Sequence, residues 1–288
     1  MVVVRLIGGL GNQLFQYALG RHLSCLADTS LKLDVTGFET YKLHAYSLGN
    51  FNIIEKFARR DEIKRSQGEG LWRWKRVFEK LKPYDQRAYL EEKDFNFDPL
   101  ILKPRESVYL AGYWQSEKYF KSIEETLRRD LSITTPLEGK NWEICDQILN
   151  SSAVSVHIRR GDYVTNPATH QTHGVCSLSY YSRAMDHMMR QVTDPRFFLF
   201  SDDAEWAREN LKFPGPVVIV DHNGPEKNYE DMRLMSKCQH HIIANSSFSW
   251  WGAWLNPRPG KIVLGPQKWF RLESIDTRDL FPPGWLQL

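Results

Sequence analysis

Residues 196–221, "RFFLFSDDAEWARENLKFPGPVVIVD", hold the decision about the fold. RFFLFS is a short apolar run bounded by polar residues, the profile of a buried strand. DAEWARENL has helical character, and PVVIVD is a second apolar run. Strand, helix, strand is the unit of a parallel sheet. The pattern extends both ways. Upstream, AVSVHI (153–158) is a strand, a polar loop runs to Ser177, and SLSYYSRAMDHMMRQV is a helix capped by Ser177. Downstream come helix NYEDMRLMSKC, strand HHIIA, helix SFSWWGAWL and strand KIVLG. The fold class is α/β with a doubly wound parallel sheet.

The first half is less regular. VVVRLI is a strand, a glycine loop follows, and residues 12–27 form a helix with Leu14, Phe15, Ala18, Leu19, Leu23 and Leu26 on one face. SLKLDV and SVYLAGYWQ are further strands. The charged, aromatic segment 58–86 reads as helices on an irregular surface, and 116–130 and 136–149 as helices. The expected domain boundary lies near Asn150. The domains are then 1–150, 151–265, and a tail, 266–288, that packs back on the fold.

Composition excludes several classes. A net charge of +3 is too small to argue for nucleic acid. No apolar run approaches the ~20 residues of a membrane span, and Arg5 interrupts the opening run. The four cysteines form no CxxC pair, which reads as reduced thiols in a cytosolic chain. Ten tryptophans suggest some ring- or sugar-facing surfaces, with core packing the larger share.

Ligands of doubly wound sheets bind beyond the carboxyl ends of the strands. Polar residues concentrate there: His157-Ile158-Arg159-Arg160-Gly161-Asp162-Tyr163, Ser201-Asp202-Asp203, Asp221-His222-Asn223 and Asn245-Ser246-Ser247. Adjacent arginines suit phosphate, because guanidinium forks bind its oxygens in pairs and stay charged. Asp162 would hold one of them. Asp202 and Asp203 could hold a divalent metal, but a helix-capping or structural role fits their spacing better. His170, His173 and Cys176, three apart, lack a fourth zinc ligand. Ser246 and Ser247 stand at a helix start, either as an anion cradle or as ordinary caps. The tryptophans at 250, 251 and 254 read as core.

Near the N-terminus, Gly9 and Gly11 begin a G-x-G-x-x-G pattern whose third position is Leu14. That glycine gives close helix–strand packing in dinucleotide folds, so the match is incomplete. Asp34 stands where a ribose-binding acid would. Three readings remain open: a tight turn, an anion or sugar loop with Asn12 and Gln13 as its polar tips, and a redox cofactor site.

Taken together, GGLGNQLFQYALGRHL, HIRRGDY, FFLFSDDAEWA and NSSFSWWGAWLNP, in this order, resemble the α-1,2-fucosyltransferases of glycosyltransferase family 11. The resemblance covers nearly the whole chain and is weakest between 36 and 84. It implies a GT-B-type α/β architecture, two Rossmann-like domains facing across a cleft, with an acceptor-side first domain and a GDP-fucose-binding second. It implies inverting, metal-independent transfer of L-fucose from GDP-β-L-fucose to the 2-hydroxyl of a terminal β-galactoside, with no cofactor and no metal. Bacterial members usually build O-antigen or similar glycans. That implies a cytoplasmic protein, compatible with peripheral membrane association through a lipid-linked acceptor.

By the same resemblance His157 lies beside guanine and Asp231, sixteen positions before Ser247, reads the guanine N1 and N2 donors. Arg159 and Arg160 grip the diphosphate, and Ser246 and Ser247 contact phosphate. The loop Gly11-Asn12-Gln13 approaches phosphates or acceptor. Arg159, Arg160, Asp162 and Asn12 are the expected catalytic residues. The alternatives are an NAD-type oxidoreductase using Gly9 and Gly11, and a non-catalytic glycan-binding protein.

Overall fold

The computed structural model describes residues 1–41, 43–67 and 81–288. Part of the surface segment 58–86 therefore lies outside the described residues; Arg60–Ser66 within it is a helix. Two compact units are present, Met1–Thr134 with Asp276–Pro282, and Thr135–Ile275 with Pro283–Leu288.

The first unit carries a parallel sheet of four strands, β1 (Val2–Arg5), β2 (Leu31–Asp34), β3 (Tyr89–Glu91) and β4 (Val108–Ala111), in the order β2-β1-β4-β3. Val2, Val3 and Val4 are all 0 % exposed. A β-branched run without alternation is what a strand covered on both faces requires. Helix α1 (Leu10–Leu26) follows and buries Leu14, Phe15, Ala18, Leu19 and Leu23, as its spacing predicts.

The second unit has six parallel strands in the order β10-β9-β8-β5-β6-β7. They are β5 (Ser152–Ile158), β6 (Pro195–Ser201), β7 (Val217–Val220), β8 (His240–Ile242), β9 (Val263–Gly265) and β10 (Leu286–Gln287). The period of two splits the side chains between two cores. Val154, Val156, Ile158, Phe197 and Leu199 pack against Tyr181, Ala184, Met185 and Met188 of helix Leu178–Gln191. Ala153, Phe198 and Phe200 pack with Leu234 and Met235 of helix Asn228–Lys237. Trp250, Trp251 and Trp254 are buried, as core packing predicts. Ser177 caps its helix, accepting from Tyr180 N at 3.2 Å.

Three expectations change. The division falls at Thr134, not at 150. Helix Gly139–Leu149 belongs to the second unit because Ile144, Cys145 and Ile148 bury against Ala153, Phe198 and Phe200. The tail is also divided: Asp276–Pro282 joins the first unit, where Asp279 accepts from Phe97 N and Ser116 Oγ, while Leu286 and Gln287 pair with β9. Finally, the polar loop after β5 contains two short helices, Gly161–Thr165 and Pro167–His173. Asn166 caps the second by accepting from Ala168 N and Thr169 N, with Pro167 at the first helical position.

Candidate active site

In β5 the side chains of Ser155 and His157 share the face of Ala153. Ser155 is satisfied, its Oγ 2.8 Å from His241 Nδ1, and His241 Nε2 lies 2.9 Å from Asn256 Nδ2. His157, at the carboxyl end, differs: its Nδ1 is buried with no hydrogen-bond partner among the described residues. Burial, and then the charge of Arg159, push its pKa down to about 3. The imidazole is therefore neutral, with Phe248 beside it at 5.5 Å.

The chain then turns, and three carboxylates fix the two arginines. Arg159 Nη2 donates to Asp162 Oδ1 at 2.6 Å, its Nη1 lies 3.0 Å from Asp202 Oδ2, and its guanidinium lies over the Tyr163 ring. Arg160 Nε donates to Asp203 Oδ2 at 3.0 Å, and its guanidinium sits 3.7 Å from the centre of the Trp206 ring. Asp202 Oδ1 accepts from Arg160 N at 2.8 Å, and Asp203 Oδ1 caps the next helix at Trp206 N. Both aspartates thus have the structural role favoured from their spacing. Gly161 leaves room for Asp202: a Cβ there would lie 2.6 Å from Asp202 Oδ2, and the carboxylate would have to shift. Two partly exposed cations thus stand at a strand end in fixed positions, Arg159 held by two carboxylates and the Tyr163 ring, Arg160 by one carboxylate and the Trp206 ring.

His170, His173 and Cys176 serve packing here. His170 Nδ1 meets Tyr163 O at 2.7 Å, and His173 stacks on the Tyr163 ring at 4.8 Å. Cys176 Sγ donates to Asn245 Oδ1. Asn245, 2 % exposed, is the hub of this segment. Its Nδ2 donates toward His173 O, Gly174 O and Trp269 O, and its carbonyl accepts from Tyr163 Oη. The adjacent Ser246 is buried and caps helix Ser247–Leu255 by accepting from Phe248 N at 3.3 Å. Ser247 is partly exposed at that helix start, where backbone N–H groups favour an anion.

Asp231 lies on helix Asn228–Lys237. Burial pushes its pKa up to about 7, opposed by a 2.7 Å hydrogen bond from Asn223 Nδ2 and aided by Glu230. Asn223 is in turn locked to Asn141 by two 2.9 Å amide bonds, and His222 Nε2 lies 2.7 Å from Asn141 Oδ1. Asn141 comes from the helix expected in the first domain.

In the first unit, Gly9 is the N-cap of α1 and Gly11 is buried in its first turn. Gln13 is not an open polar tip. It is 0 % exposed, donates to Gly8 O and Ala45 O at 2.8 and 2.9 Å, and accepts from Ser47 N. An amide with both donor hydrogens and its oxygen engaged inside the protein has little left for a ligand. Asn12 is partly exposed, its Oδ1 accepting from Gln115 Nε2 at 2.8 Å. Asp34 is 2 % exposed; Thr36 N and Oγ1 occupy one oxygen, and Tyr109 Oη the other at 2.6 Å. It is a turn anchor, so the partial dinucleotide pattern lacks its ribose partner.

All 288 residues match the family described as glycosyl transferase family 11. The chain belongs to that family. An Escherichia coli α-1,2-colitosyltransferase is 37% identical over 100% of this chain and 99% of its own length. The E. coli O-antigen biosynthesis glycosyltransferase WbnK is 33% identical over 98% and 99%. NodZ, an α-1,6-fucosyltransferase from Bradyrhizobium soaked with GDP-fucose, shares the fold, with a TM-score of 0.52 at 16% identity over 91% of this chain and 94% of that one. The α/β, GT-B-type fold class and the family resemblance therefore stand.

In this family 11 chain, sequence reasoning named the arginines, Asp162 as the holder of one, and Asp202 and Asp203 as capping or structural residues, but not that the last two hold Arg159 and Arg160. It missed Asn245, Asn223 and Asn141 as holders, and Trp206 as the face under Arg160. Trp206, ten residues into the opening stretch, was visible as the only large apolar residue in its helix, DAEWARENL, apart from the terminal Leu211. The asparagine pairing carries no local signal.

Proposed function

We propose that this protein is an inverting, metal-independent galactoside α-1,2-fucosyltransferase. It moves L-fucose from GDP-β-L-fucose to the 2-hydroxyl of a terminal β-galactoside, in O-antigen-type glycan synthesis on the cytoplasmic side. The observation that carries the reading is the carboxylate-held pair Arg159 and Arg160 at the end of β5, in a chain that belongs to glycosyl transferase family 11.

The chemistry follows from charge. The bond between fucose C1 and the β-phosphate oxygen breaks, the sugar gains positive charge and GDP gains negative charge. The acceptor hydroxyl attacks from the opposite face, its oxygen bonds to C1, and its proton is released to solvent. Arg159 and Arg160 neutralise the leaving diphosphate without a cation, and Asp162 orients Arg159. The N-terminal end of helix Ser247–Leu255, with Ser246 and Ser247 beside it, adds dipole stabilisation. Asp231, ionised, accepts from the guanine N1 and N2 donors, and neutral His157 with Phe248 flanks the base. Asn12 orients the incoming hydroxyl. The test is a glycan acceptor panel with GDP-fucose, the product linkage read by NMR, with and without EDTA. An α-1,3 or α-1,6 product rejects the linkage, and loss of activity in EDTA rejects metal independence.

One observation favours a second donor. The 37% identical relative is named for colitose, which is fucose without its 3-hydroxyl. Parallel assays with GDP-fucose and GDP-colitose decide between them by the ratio of kcat/KM.

A further inference from the structure

The first unit's strand order reverses between β1 and β4, which are parallel neighbours. The loops leaving these two strands flank a topological switch point, the place where doubly wound sheets leave a crevice for ligand. Carboxamides from the start of α1 build this surface. Gln13 ties Gly8 to Ala45 and Ser47, and Gln16 ties Ile7 to Gly112 by bonds of 3.0 Å each. Asn12 meets Gln115.

The turn after β4 carries three unusual features. Gln115 is 8 % exposed, and its Oε1 has no hydrogen-bond partner among the described residues. Trp114 has a left-handed backbone, φ 58°, and its buried Nε1 likewise lacks a partner. Tyr113, beside them, is 42 % exposed. Glu92, at the exit of β3, holds the turn by accepting from Tyr113 N at 2.6 Å and Trp114 N at 2.9 Å. Gly112 makes room for it: a Cβ there would lie 2.4 Å from Glu92 Cβ. Backbone strain held in place by its surroundings marks functional sites more often than chance, and a buried acceptor left unpaired is costly unless water or a ligand completes it.

We propose that this turn is a carbohydrate subsite for the acceptor. Gln115 Oε1 accepts from a sugar hydroxyl, Asn12, held by Gln115, adds a second polar contact, and the Tyr113 ring covers the apolar face of the pyranose. The acceptor assignment rests on the transferase reading above; the subsite itself rests on the turn.

The test uses the full chain with Gln115→Met, nearly isosteric but without polar atoms, and Tyr113→Ala, a change at an exposed side chain. With GDP-fucose saturating and methyl β-D-galactoside varied, each variant should raise the acceptor KM by about tenfold or more, with GDP affinity by calorimetry within about twofold of wild type. Unchanged acceptor KM in both variants, or GDP affinity falling in step with the KM rise, overturns the subsite. If the wild-type chain shows no transfer from either GDP-fucose or GDP-colitose, the transferase reading fails separately. Saturation-transfer NMR with methyl β-D-galactoside then decides: signal on wild type that is lost in Gln115→Met supports the subsite, and equal signal on both, or none on wild type, overturns it.

Discussion

Replacing Gly161 by alanine adds one methyl group at the centre of the arginine site. The new Cβ would meet Asp202 Oδ2 at 2.6 Å. That carboxylate must retreat by roughly 0.9 Å to reach ordinary contact near 3.5 Å. Its pairing with Arg159 Nη1, now 3.0 Å, would lengthen correspondingly. At an effective dielectric of about 20, opening a pair from roughly 3.0 to 3.9 Å removes about 1 kcal/mol of attraction. The bent hydrogen bond to Arg160 N loses part of a further ~1.5–3 kcal/mol. Any gain in helix propensity, at most ~1 kcal/mol, is small at a helix's first residue. Reactive groups misplaced by about 1 Å cost on the order of 100-fold in rate. Gly161→Ala should therefore lower kcat/KM for GDP-fucose by about 10- to 100-fold. Asp202→Ala should do the same, and the double variant should be little worse than Asp202→Ala alone, since both act on one contact. The assay is GDP release at saturating acceptor, with a urea titration for stability. Full activity in Gly161→Ala, or additive losses in the double variant, would refute the argument.

Other outcomes follow from the same geometry. Arg159→Ala and Arg160→Ala should each lower kcat by ~100-fold or more, as loss of a preorganised charge donor does; near-normal turnover at saturating GDP-fucose in both would reject the phosphate role. Asp231 has a raised pKa of about 7, so its neutral form is the one folding favours. Its contribution to stability is therefore greatest below the ordinary carboxylate range and falls as pH rises from about 4 to 7. GDP affinity should move the opposite way, tightening from pH 6 to 8 as the carboxylate ionises. Asp231→Asn should flatten both profiles, read by calorimetry and thermal unfolding, and a GDP affinity independent of pH in wild type would count against guanine recognition. Asn245→Ala strips bonds from His173, Gly174 and Trp269 and should cost about 2–3 kcal/mol in urea unfolding, against no change if water replaces the amide.

Much of the site was legible because its logic is local. Arg159, Arg160 and Asp162 are within three residues of one another, and a strand end fixes where they stand. Asp202 and Asp203 end the neighbouring strand, so parallel pairing of β5 with β6, His157 opposite Phe200, brings them to the arginines. Gln13 shows the opposite case. Its position in a glycine loop suggests a ligand contact, but its partners Ala45 and Ser47 lie more than 30 residues away, in a stretch without periodic pattern. The boundary at Thr134 was hidden for a similar reason. Helix Gly139–Leu149 has an apolar face that would suit either sheet, and only contact with Phe198 and Phe200 assigns it.

The short strands β3 and β10 carry no pattern that the sequence reading caught. The sequence by itself determined the other strands, the parallel sheet of the second unit, the family and the charge at the carboxyl end of β5. These depend on periodicity and on residues close in the chain. Tertiary structure alone decided which polar groups are already consumed. Asp34, Gln13 and Asn245 are polar residues in motif-like positions, yet each is buried with its hydrogen bonds made inside the protein. Gln115 and His157 are also buried, yet each keeps an unpaired polar atom among the described residues. Whether a buried polar group is spent depends on partners brought in from distant segments, and no local pattern in the chain records them.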